Sequence, residues 1–116
     1  MRSLAALVAR WQWIGAEPTH GSQASTRAGD AARHAVIGDV ADELAQALAG
    51  GQTSAAALAA LVGSLRERSQ AAQTEAARAA SVAQDPADIP TAEWLGRSAA
   101  YAWCATDLEP FAGAGE

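Results

Sequence analysis

Apolar residues return three or four positions apart in four separate stretches of the chain, the spacing of one face of an α-helix. Leu4, Leu7, Val8, Trp11 and Ile14 predict a first helix over 3–14. The run GAEPTHGSQAS that follows collects Gly, Pro, Ser and His and reads as a loop. A second helix is predicted over 26–49, with Ser25 or Thr26 as its cap and Asp30 in its early turns, where negative charge suits the helix dipole. Its stripe is Ile37, Val40, Ala41, Leu44 and Leu48, and Gly50-Gly51 supplies a C-terminal stop. Thr53 or Ser54 then caps a third helix over 54–84, carrying Leu58, Leu61, Leu65, Ala72, Ala76 and Ala79 on one face. Pro86 disfavours helical geometry at Asp85, so this helix ends by that point. The fourth spans 90–107, opening on Pro90 in a permitted first-turn position and stopped by Pro110.

Strand-forming residues are scarce and alanine, the best helix former, dominates the apolar set. The expected fold is therefore all-α. The connection between helices two and three is short enough to force an antiparallel hairpin. A single domain over 1–116 follows, a four-helix up-down-up-down bundle around a long central helical hairpin.

Every aromatic side chain lies near one end of the chain, and none occurs between Trp13 and Trp94. The hairpin has leucines near its turn and mostly alanines at its open end, from Ala28 to Ala35 and from Ala72 to Ala79. Helix one runs into that open end and helix four leaves from it. Trp11, Trp13 and Trp94 are expected to pack there and restore the density of a native interior. Leu4, Leu7, Leu108 and Phe111 belong at the opposite end. Trp13 lies about 180° around its helix from Leu4, and Trp103 is similarly opposed to Trp94. Each of these two rings either closes a helix–helix boundary or meets another chain.

The net charge of −5, from thirteen acidic residues against eight arginines and no lysine, argues against nucleic acid and anionic membranes as partners. The lysine-free, alanine-rich composition is what a GC-rich genome produces. One cysteine, Cys104, excludes an internal disulfide and fits a reducing compartment. The start MRSLAALVARW has no small-residue cleavage site and is broken at Arg10, so it is not a signal peptide. No stretch reaches the roughly eighteen apolar residues that span a bilayer. A cytoplasmic, soluble protein is expected.

Candidate chemistry is sparse. His20 has no metal-ligand spacing around it; His34 has Asp30 one turn before it, and two ligands do not make a metal site. Asp39, Asp42 and Glu43 cluster on helix two, but the facing carboxylate pair that a helical magnesium site needs is missing. GGQTSAAALAALVG has a helix–turn–helix outline whose first turns offer only Ala, Ser, Leu and Val, nothing that reads base edges. Nothing lowers the Cys104 thiol pKa. No catalytic constellation and no cofactor are implied, and a non-enzyme is the expectation.

The stretch ARHAVIGDVADELAQALAG resembles segments of short uncharacterised helical proteins from GC-rich actinobacteria and their phages, a resemblance that implies no activity. Two functions remain open. In the first, the chain is a helical protein–protein interaction module, a homodimer or a complex with a protein partner. Its contacts are Trp13, Trp103 and a small-residue seam on helix two with Gly38, where glycine costs about 1 kcal/mol relative to alanine, and Asp42, placed to oppose an arginine such as Arg33 of a neighbour. In the second, Trp11, Trp94, Tyr101 and His34 line a pocket for a small molecule or a catalytic reaction.

Overall fold

The computed structural model describes residues 3–19, 21, 23–84 and 88–113. All secondary structure among them is helical: α1 Leu4–Gly15, α2 Ala24–Ala49, α3 Ala55–Val82 and α4 Ile89–Ala112. His20 and the Asp85-Pro86 stop lie outside the described residues.

The helix ends show which sequence signals carried physical weight. Ser3 caps α1 by accepting the Ala6 N–H at 3.1 Å, and Ser54 caps α3 by accepting that of Ala57, also at 3.1 Å. Asp88 accepts both the N–H and the hydroxyl of Thr91, which leaves Pro90 in the first turn, where no N–H is needed. Gly51 takes the left-handed conformation, φ +70°, that reverses the chain between α2 and α3. Two boundaries differ from expectation. The α2 helix starts at Ala24, one residue before Ser25 and two before Thr26, with Gln23 at the N-cap and no side-chain cap bond. The α4 helix does not stop at Pro110 but continues to Ala112. Pro110 falls in the last turn, where the missing N–H frees a single carbonyl, while Leu108, Phe111 and Ala112 gain contact with the core.

The all-α four-helix bundle is present, and its centre is α4. Among the described residues the extensive backbone contacts are α3 with α4, α2 with α4, and α1 with α2. The two longest helices, α2 and α3, are joined by the short turn and face each other through side chains, Leu44, Leu58 and Leu65 among them, rather than through close backbones. The bundle is elongated, 49 × 27 × 21 Å, and its radius of gyration of 15.3 Å exceeds the roughly 13 Å of a compact chain this size.

One reason for the length is that α1 covers only part of the track between α2 and α4. Over that part lies the main core: Leu7, Val8, Trp11, Ile37, Val40, Leu44, Leu58, Val62, Leu65 and Leu108, with Ala41, Ala100, Cys104 and Ala105 between them. Beyond the end of α1 only three helices remain, and there small residues bring backbones together. Gly29 of α2 lies against Gly96 of α4, so closely that a Cβ on Gly96 would overlap the Gly29 carbonyl. Gly15 of α1 meets Gly38 of α2 in the same way, a Cβ on Gly15 falling 2.8 Å from the Gly38 Cα. Between α3 and α4, the Ser69 hydroxyl donates to the Ser98 carbonyl at 2.9 Å and the Ser98 hydroxyl returns a bond to the Ser69 carbonyl at 3.1 Å. Both hydroxyls are buried and satisfied, as burial requires.

The expected ring clasp is therefore corrected. Trp11 is fully buried, but among leucines rather than alanines. Its indole N–H donates to Asp107 at 3.0 Å, and its ring tilts against Trp103 with 6.3 Å between centroids. Trp94 lies outside the core cluster, half-buried beneath the Arg97 guanidinium at 4.4 Å. Trp13 points away from the bundle and is 67% exposed. The alanine end is closed by approach of the helices themselves, since glycine lets backbones touch where rings would have to fill a gap.

Candidate functional site

Where α1 ends, the α2–α4 track continues as an open groove of about 740 Å³. Gly29 and Gly96 meet at its floor, and Ala92 and Leu95 of α4 form one wall. Glu17 and Gly21, in the α1–α2 connection, border it on another side. Leu95 is 53% exposed at its rim. His34, Asp30 and Arg33 stand on α2 at the end nearest α1.

Among the described residues of the groove, His34 is the one buried titratable side chain. Its Nδ1 lies 3.1 Å from the backbone oxygen of Glu17, and a carbonyl only accepts, so Nδ1 carries the proton. On the other side, the Arg33 guanidinium stands 3.4 Å from Nε2. Arg33 also donates to Asp30 at 3.1 Å, and the Asp30 carboxylate lies 3.5 Å from Nε2. The imidazole is held on both sides. The cluster ties the α1–α2 connection onto α2, and it sets a guanidinium and a carboxylate at the groove wall.

The four residues expected to line an aromatic pocket are not brought together. His34 lines the groove, but none of Trp11, Trp94 or Tyr101 does. Trp11 is sealed in the core, Trp94 lies under Arg97, and the Tyr101 ring faces the Arg68 guanidinium at 5.9 Å. Arg68 in turn makes two 2.8 Å hydrogen bonds to the Glu43 carboxylate, which bridges α3 to α2. Those bonds hold the Glu43 carboxyl below its ordinary range against the opposing effect of partial burial. The same bonds raise the Arg68 pKa.

The four residues expected at an interface also separate. Gly38 is met by Gly15 of the same chain, so its close backbone approach is used internally. Trp103 packs on Trp11 with Arg10 5.4 Å above its ring, and Arg10 pairs with Asp107 at 3.7 Å. Asp42 is exposed, and Arg33 is engaged with Asp30. Trp13 alone presents a large, open apolar surface. Cys104 is buried, and burial, with the Asp107 charge adding to it, pushes its thiol up to about 12. That thiol is not a nucleophile at neutral pH.

The groove itself was missed in the sequence. Its only signals were Gly29 and Gly96, two isolated glycines inside helical patterns, whose pairing across sixty-odd positions no local period reveals. Among the described residues no group of three or more His, Cys, Asp or Glu is placed to hold a metal ion, and no helix is long and apolar enough to cross a membrane. No protein-family model matches the chain, and no curated protein and no solved structure matches it.

Proposed function

We propose that the chain is a small non-enzymatic helical interaction module that recognises protein through the side of the bundle bearing α1 and the groove beside it. The observation that carries this reading is the uncovered half of the α2–α4 track. A track that seats one helix along part of its length is open along the rest, with Leu95 exposed at its rim and Trp13 exposed on the neighbouring α1. Tryptophan is enriched at the energetic centres of protein interfaces. The groove supports helix-in-groove recognition, in which an amphipathic helix lays an apolar face into a shallow channel. Three of its polar lining residues, His34, Arg33 and Asp30, engage one another rather than converging on a small substrate.

A photo-reactive amino acid at position 13 tests the reading in cells producing the protein, with the same group at Gln70, exposed on α3, as the control. Protein cross-links from position 13 that are absent from position 70 are expected. Equal labelling from both positions, or none from either, defeats the interaction reading.

A further inference from the structure

We draw no further inference here: the strongest candidate, the open groove between α2 and α4 beyond the end of α1 with Trp13 exposed on the neighbouring helix, belongs to the site already described, and nothing in the structure shows what covers it.

Discussion

Around Leu44 and Leu65 the helices enclose leucine, isoleucine and tryptophan, whereas at Gly29 and Gly96 the backbones of α2 and α4 meet directly. The two regions belong to the same helices and differ in what holds them. In the leucine half, each large side chain removed from water contributes about 1.5–3 kcal/mol, and backbones stay apart. In the glycine half, little apolar side-chain area is available, so cohesion comes from atoms in direct contact, each pair contributing about 0.1–0.2 kcal/mol. Such contact is strong only while the fit is kept. The leucine half should therefore respond to lost volume and the glycine half to added volume.

The largest effect is expected at Trp11. Its ring is enclosed, stacked against Trp103 and hydrogen-bonded to Asp107. Trp11→Ala opens a cavity and removes the α1–α4 link, and should destabilise by about 3–5 kcal/mol in chemical denaturation. A loss under about 1 kcal/mol would show that α1 is a passive cover.

Gly96→Ala adds one methyl group to the other half. Alanine is the better helix former by about 1 kcal/mol, yet here its Cβ would run into the Gly29 backbone, which cannot rotate away. Overpacking of this kind costs about 1–3 kcal/mol, and a net loss is expected. Gly63→Ala is the control. Gly63 is also within a helix, but nothing lies within 4 Å of where its Cβ would be, so the substitution should stabilise by about 0.5–1 kcal/mol. If both variants gain stability, the close approach of α2 and α4 is not what holds this end.

The contrast between halves also explains what the sequence disclosed. Helix number and order were legible, because apolar periodicity acts within a turn or two of itself, as do the Ser54 cap and Pro90 in a first turn. Ser3 and Asp88 were not legible as caps, and Gln23 stands where Ser25 or Thr26 was expected. Where the backbones approach most closely was not legible either. The α2–α3 hairpin was expected, but nothing local announced the reciprocal Ser69–Ser98 bonds or the Gly29–Gly96 contact that bring α4 close to both. Such contacts need only a small residue on each side, and an alanine-rich chain has candidates on every face. The same ambiguity misplaced the rings. Alanines next to one another in sequence looked like a gap to be filled, when helices free of bulk could simply move closer. Trp13 was legible as an off-stripe ring; the groove was not, since it is defined by where α1 stops.

Trp94 tests that correction at intermediate size. Had it filled the alanine end, its removal would cost as much as that of Trp11. It instead sits outside the core under Arg97, and a cation–π contact at such a site is worth about 0.5–1 kcal/mol. Trp94→Ala should destabilise by about 1 kcal/mol. A loss of about 3 kcal/mol or more in thermal or urea melts would restore the ring as a wedge in this half.

The smallest expected effect concerns the polar bridge that joins α2 to α3. In the leucine half, Arg68 reaches across with two hydrogen bonds to Glu43, and its guanidinium also faces Tyr101, so one side chain joins three helices. The groups are more than a third exposed, and water and salt screen them. Exposed pairs of this kind are worth about 0.2–1 kcal/mol. The folded-state pKa of Glu43 is lowered, chiefly by the Arg68 hydrogen bonds. Its contribution is therefore complete above the unfolded carboxyl value, about 4.3, and disappears as pH falls through the lower folded value. Glu43→Gln should thus trail the wild type by a constant few tenths of a kcal/mol from neutral pH down to the carboxylate range, and the gap should close only below it. Urea midpoints of the two proteins across that range make the comparison. A gap that persists unchanged in strong acid would mean that Glu43 acts through packing or a neutral hydrogen bond. The charge of the bridge would then contribute nothing to joining α2 and α3.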